Sequence, residues 1–262
     1  MKILITNLIL ILMLCTVASA KLVEKRVSYE ANDLIMSGFL VYDDSFDGQR
    51  PGVLVVHEWW GQNDYAKKRA RMLAGLGYTA FAVDMYGEGK IAENPKDAGK
   101  LAGEVYSNLE NAQMRFQAAI EVLKNERMTD PEKIGAVGYC FGGGILINMA
   151  RLGVEIDGIV SFHGNLATEN PVKEGVVKTK ILVCHGADDP LVPEKQVVAF
   201  KDEMASASVD YEFIAYEGAT HAFSNPQADE TAKRFELPVG YSEKADVESW
   251  EAMQVFLQKV FK

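Results

Sequence analysis

The chain has 262 residues, of which 48% are hydrophobic and 24% charged, and its formal net charge is −10 at pH 7. No basic cluster stands out, which argues against nucleic acid or an anionic membrane as a partner. Apolar runs are spread along the chain without a linker, repeat or low-complexity tract, so a single domain with one sizeable core is expected over residues 21–262.

Residues 1–20 stand apart. Lys2 supplies a positive start, Ile3 to Val17 are nearly all apolar, and Ala18-Ser19-Ala20 is a small-x-small cleavage site. A secretory signal is expected, making the mature chain exported, periplasmic or secreted. Retention as an uncleaved anchor is the alternative; Cys15 follows the bulky Leu14, which disfavours lipoprotein processing. No later stretch approaches the ~18 apolar residues of a membrane span.

Val23 to Glu30 and Leu34 to Val41 alternate, predicting an antiparallel edge hairpin. Val53–Val56 predicts the first core strand, leading into His57-Glu58-Trp59-Trp60-Gly61. A helix near Tyr65–Leu76 and a strand at Thr79–Val83 follow, the strand running into Asp84-Met85-Tyr86-Gly87-Glu88. A helix is predicted from Val105 to Lys124, with Leu109, Phe116, Ile120 and Leu123 on one face.

Lys133-Ile134-Gly135-Ala136-Val137 then reads as a buried strand entering Gly138-Tyr139-Cys140-Phe141-Gly142-Gly143 and a helix. Strand, tight Gly-x-Cys-x-Gly turn and helix is the layout of a nucleophile elbow, in which small neighbours let a strained turn project one side chain. The helix N-terminus would favour the thiolate of Cys140. Taken alone, these residues equally suit a small buried cysteine beside a glycine-rich helix start.

Strands are predicted at Gly158–Phe162, Lys180–His185 and Asp210–Tyr216, with helices at Pro193–Ala205 and Val247–Phe261. The last should turn Val247, Trp250, Phe256, Leu257 and Val260 inward. This alternation predicts an α/β fold with a mostly parallel central sheet and helices on both faces. Residues 140, 189 and 221 all fall just past strand ends, which line one crevice in a parallel sheet. Nucleophile, acid and then histidine is the chain order of the α/β-hydrolase fold.

Four motifs together resemble the dienelactone hydrolase family, the cysteine-nucleophile branch of the α/β-hydrolases. They are His57-Glu58-Trp59-Trp60-Gly61, Gly138-Tyr139-Cys140-Phe141-Gly142, Gly186-x-x-Asp189-x-x-Val192-Pro193 and Gly218-x-x-His221-x-Phe223, and the resemblance extends to the carboxyl terminus. It implies a Cys140, Asp189 and His221 triad, with Asp188 a bystander and Asp189 orienting the imidazole. It also implies that Glu58 contacts the resting thiol and holds it protonated until substrate arrives. Oxyanion donors are expected from the N–H groups of Phe141 and Trp59. Trp60, Tyr86, His163 and Phe223 are expected around the substrate pocket.

The implied activity is hydrolysis of a small ester or lactone through a thioester intermediate. An acyltransferase using the same triad, or an idle secreted binding protein of the same fold, are the alternatives. No cofactor or metal is expected, since no histidine pair has the i, i+4 spacing of a metal site. Cys184, inside a predicted buried strand, is not expected to form a disulfide with Cys140.

One departure bears on substrate. Dienelactone-cleaving members of the family hold the substrate carboxylate with two arginines; the matching regions here offer Gly87 and Glu88, and Asn225. Lys90 and Arg234 lie in polar stretches that should face water. An uncharged substrate is therefore expected, because a carboxylate wants a guanidinium fork.

Overall fold

The first two strands, β1 (Leu22–Ala31) and β2 (Leu34–Asp43), meet at Asn32-Asp33, whose φ angles are 51° and 62°. Two consecutive left-handed residues make the type I′ turn that matches the twist of a hairpin. Glu24, Lys25 and Arg26 stand exposed on β1, which lies at the sheet edge, and such charges discourage pairing with another chain. The computed structural model describes residues 21–262; the leader read in residues 1–20 lies outside the described residues.

The hairpin joins a sheet of eight strands in the order β1-β2-β4-β3-β5-β6-β7-β8. The others are β3 (Arg50–Val56), β4 (Thr79–Val83), β5 (Thr129–Tyr139), β6 (Gly158–Phe162), β7 (Lys180–Gly186) and β8 (Tyr211–Tyr216). From β4 to β8 all neighbours run parallel, and β2 pairs antiparallel with β4. After β3 the chain moves to one side to form β4, then crosses to the other to form β5. The carboxyl ends of β3 and β5 thus flank a topological switch point, where an open α/β sheet leaves a crevice.

Both faces of the sheet are covered, which is why its inner strands read as continuous apolar runs. Val53, Val55, Val137, Val160 and Leu182 pack under α1 (Asp64–Gly75) and the closing helix, Glu243–Val260. Their alternates Leu54, Val56, Ala136, Ile159 and Val183 face the helices Leu109–Lys124, Phe141–Arg151 and Glu194–Ser206. In chain order the helices are α1, α2 (Pro95–Tyr106), α3 (Leu109–Lys124), α4 (Phe141–Arg151), α5 (Glu194–Ser206), α6 (Ala228–Phe235) and α7 (Glu243–Val260).

Three expectations need correction. The single helix from Val105 is two: Asn94 caps α2, with Pro95 at its first turn, and Asn108 restarts the chain by accepting from the Asn111 N–H at 3.0 Å. Helix α6 was not expected, because only Ala228 of its residues is buried. Val247 is 51% exposed, since the inward face of α7 is set by Ala245, Ser249, Met253, Phe256 and Leu257. Among the described residues no helix is long and apolar enough to cross a membrane.

Candidate active site

Strand β5 ends at Tyr139 and α4 begins at Phe141, leaving Cys140 alone between them at φ 50°, ψ −112°. A non-glycine residue holds such a conformation only when its surroundings enforce it. Here the turn is closed by bare backbone. A Cβ on Gly138 would sit 2.4 Å from the Gly142 carbonyl oxygen, and one on Gly142 only 2.3 Å from that of Val56. The Gly142 N–H donates to the His57 carbonyl at 3.0 Å, tying the elbow to the loop after β3.

That loop is held by a histidine. His57 is wholly buried; its Nδ1 lies 2.5 Å from the Glu58 carbonyl oxygen, and its Nε2 accepts the Met85 N–H at 3.3 Å. The ring bridges the ends of β3 and β4 as the neutral tautomer protonated at Nδ1, and burial keeps it neutral by pushing its pKa down. It also stacks on Phe141, with centroids 5.5 Å apart.

The amides expected to receive an oxyanion belong to these two tethered pieces. Among the described residues, neither the Phe141 nor the Trp59 N–H donates to a protein acceptor. Their carbonyls are engaged: the Tyr86 hydroxyl donates to Trp59 O at 2.9 Å and the Tyr106 hydroxyl to Phe141 O at 3.2 Å. Burial, reinforced by the nearby Cys140, raises the pKa of both phenols, so both remain donors.

The loops after β7 and β8 bring the expected acid and base together. His221 Nδ1 lies 2.8 Å from Asp189 Oδ2, while Asp189 Oδ1 accepts the Leu191 N–H at 2.8 Å. Asp189 is 5% exposed, whereas its neighbour Asp188 faces solvent. Burial pushes the His221 pKa down, but the charge and hydrogen bonding of Cys140 and Asp189 outweigh it and hold the imidazole up at about 10. The imidazole is thus tied to the carboxylate through Nδ1, which leaves Nε2 for the sulfur.

Glu58 borders the same cavity as Cys140, and its hydrogen bond goes to Asn225. The side chain is buried and its Oε2 accepts from Asn225 Nδ2 at 2.8 Å. Desolvation pushes the Glu58 carboxyl up to about 7 against the lowering influence of Asn225, His221 and Arg69.

Cys140, His221 and Glu58 open into a cavity of about 250 Å³ whose walls include Trp59, Trp60, Leu191, Ala228, Leu237 and Val239. Of the side chains expected at the pocket, Trp60 is there. Tyr86, His163 and Phe223 are not: all three are buried behind its wall. Tyr86 braces the Trp59 carbonyl, His163 turns inward at φ 41°, and Phe223 packs against the ring of His163 at 5.1 Å. Leu191 and the segment Leu237–Val239 had no signal beyond scattered apolar residues in loops. Neither Lys90 nor Arg234 lines the cavity; Lys90 pairs with Glu88 at 2.8 Å, and Arg234 lies over Phe235.

A strained turn at the switch point, opposed by a histidine–aspartate pair from later strand ends, is the geometry of the α/β-hydrolases, and the sheet order is theirs. Comparison with known proteins narrows this class. The family model described as "Dienelactone hydrolase family" matches residues 36–261, and the chain belongs to that family of ester and lactone hydrolases. "Protein usf" of Aquifex pyrophilus is 32% identical over 211 residues, covering 79% of this chain and 89% of that one. A chain of Aquifex aeolicus named "Putative carboxymethylenebutenolidase" is 30% identical over 91% of this chain and 99% of its own length. Among solved structures, a dienelactone hydrolase-like promiscuous phosphotriesterase from metagenomic libraries is 33% identical. It superposes with a TM-score of 0.85, covering 93% of this chain and 100% of its own.

Proposed function

We propose that the protein hydrolyses small uncharged esters or lactones, with Cys140 as nucleophile, His221 as general acid and base, and Asp189 as its orienting partner. The observation that carries this reading is the His221–Asp189 pair at an apolar cavity that Cys140 also lines. His221 takes the Cys140 thiol proton on Nε2 as the sulfur attacks the acyl carbonyl, and the developing oxyanion is received by the N–H groups of Phe141 and Trp59, each donor worth roughly 2.7–4 kcal/mol. His221 gives its Nε2 proton to the departing alkoxide as the tetrahedral adduct collapses to a thioester. The now neutral imidazole then takes a proton from water, which attacks the thioester; as the adduct collapses the acid is released, and His221 gives that proton to the departing Cys140 sulfur.

The uncharged character of the substrate rests on the lining. Among the described residues Glu58 is the acidic group lining the cavity and no arginine or lysine lines it, and His221 is already paired. A neutral phosphotriester meets the same criteria, so weak activity of the kind named for the 33%-identical structure is also proposed. The leader-like residues 1–20 support export, which cell fractionation with an antibody against the mature chain would test.

The deciding experiment is Cys140→Ala measured on a panel of reporter esters and lactones, with mass spectrometry of the wild-type protein quenched during turnover. Loss of turnover in a folded variant and an acyl adduct on the Cys140 peptide are expected. Full activity in Cys140→Ala would overturn the assignment.

A further inference from the structure

Behind the nucleophile lies a buried histidine that the reaction above does not use. The Cys140 N–H is shared between the Phe162 carbonyl oxygen at 3.0 Å and His163 Nδ1 at 3.1 Å. Because Nδ1 accepts from an amide, the imidazole proton sits on Nε2, which faces Ser224 Oγ at 2.8 Å. Ser224 stands three residues past His221 on the same loop. These links run from His221 along the chain to Ser224, through His163 and back to the Cys140 amide, and the approach of His221 to the thiol in the proposed reaction would close them into a ring.

The ring has a fixed direction. Arg69, 2% exposed, can only donate. It donates from Nε to the Tyr65 hydroxyl at 3.2 Å and from Nη2 to both the Ser224 carbonyl and Asp246. Tyr65 Oη, already accepting from Arg69, lies 3.2 Å from Ser224 O and 2.8 Å from Ser224 Oγ. Every group is satisfied if Tyr65 donates to the carbonyl and the Ser224 hydroxyl donates to Tyr65. Ser224 Oγ is then left to accept from His163 Nε2–H. Helix α1 supplies Arg69 and Tyr65, and α7 supplies Asp246, so a ring at the sheet's carboxyl edge is anchored to two helices of one layer.

We propose that His163 is a positioning residue: together with Ser224, Tyr65 and Arg69, it sets the orientation of the Cys140 backbone and the spacing between Cys140 and His221. The inference rests on Cys140 and His221 being the reacting pair. It explains how a turn at φ 50° keeps one geometry, since the amide of the strained residue is held from behind by an acceptor that cannot rotate away. A neutral His163 also fits its setting 5.2 Å from His221: burial first, then the charges of His221 and Arg69, hold its pKa well below the usual value. A protonated His163 would have no lone pair for the Cys140 N–H.

The test compares His163→Phe, His163→Asn and Ser224→Ala. In His163→Phe the amide loses its nitrogen acceptor and Ser224 its donor, and kcat should fall by about 10²-fold, the scale of a small misplacement of reacting groups, with KM little changed. His163→Asn should recover part of the loss, because Oδ1 can accept the Cys140 N–H and asparagine tolerates φ 41°. The pH profile of alkylation of Cys140 should shift in His163→Phe and Ser224→Ala. The double variant should be no worse than His163→Phe alone, as members of one ring are not additive. A residue that merely fills space would lower the melting temperature and leave that profile in place.

Unchanged kcat and alkylation profile in folded His163→Phe, or in Ser224→Ala should the first not fold, would overturn the proposal. Alkylation needs no ester turnover, so its result stands apart from the Cys140→Ala test of the chemistry itself.

Discussion

Asn225 Nδ2 donates to Glu58 Oε2 at 2.8 Å inside the wall of the cavity, pairing a buried carboxyl with a neutral amide. By the motif resemblance, position 225 matches one of the two arginines expected to hold the carboxylate in dienelactone-cleaving members of the family. An arginine there would keep Glu58 ionised and offer a guanidinium to an anion. Asparagine does neither, and the cavity stays short of positive charge.

Substrate preference should follow from that exchange. The wild-type protein is expected to favour an uncharged ester or lactone over a carboxylate-bearing lactone in kcat/KM. Asn225→Arg should move the ratio towards the anion by at least about tenfold, or ~1.4 kcal/mol of transition-state preference. Steady-state kinetics on the two substrates decides it; an unmoved ratio would mean that the amide does not govern the charge of the site.

Glu58 should leave a mark on stability. Its folded pKa of about 7 lies above the ordinary 4.5, so the folded state binds the proton more tightly than the unfolded chain. The contribution is greatest below 4.5 and is lost as pH rises through about 7, with a ceiling of ~3 kcal/mol. His221 acts in a higher window: raised from 6.5 to about 10, it stabilises fully below 6.5 and ceases to do so as pH passes about 10. Melting temperature followed upward in pH should therefore fall earlier in the wild type than in Glu58→Gln, which retains only the later decline. Coincident curves would show that Glu58 titrates normally.

The adjacent aspartates should separate cleanly. Asp189→Asn leaves an amide opposite His221 Nδ1, favouring the wrong tautomer, and turnover should drop by roughly 10³- to 10⁴-fold. Asp188 is exposed, and Asp188→Asn should match the wild type. Reversed effects in kcat would move the acid by one position.

Gly142→Ala tests the contact between the elbow and the oxyanion loop. The new methyl would meet the Val56 carbonyl oxygen at 2.3 Å and that of His57 at 2.7 Å, and neither is a flexible side-chain end. Overpacking of about 1–3 kcal/mol should appear as a lower melting temperature, with kcat reduced more than KM rises. Unaltered kcat would mean that the Trp59 N–H takes no part in catalysis.

The sequence was legible wherever a signal is local. Strand periodicity and the glycines around Cys140 are written in neighbouring residues, and so were the parallel sheet, the elbow and the loops that carry Asp189 and His221. The ring behind Cys140 was not, because its links join residues as distant as Tyr65 and Ser224, 159 apart. Alternation places His163 at a strand end but does not say that a left-handed φ turns its ring inward. Helix α6 escaped because Asp229, Glu230, Lys233 and Arg234 give it the composition of a loop, and its packing leaves only Ala228 buried.

Thr231, Leu237, Pro238 and Val239 all come from one stretch of chain between β8 and α7. Its end is pinned by a bridge between His221 and Val239 and by the Gly240 N–H on the His221 carbonyl at 3.0 Å. The reacting side chains come from other strand ends and from the near side of that pin. Part of the cavity wall is thus separable from the reacting groups: a change confined to the stretch from Gln227 to Val239 would reshape the pocket while Cys140, Asp189 and the Glu58–Asn225 pair stay as they are. The liability of the same arrangement is that His221 shares its backbone bridge with the replaceable part, so any graft must end with Gly240 still able to reach it.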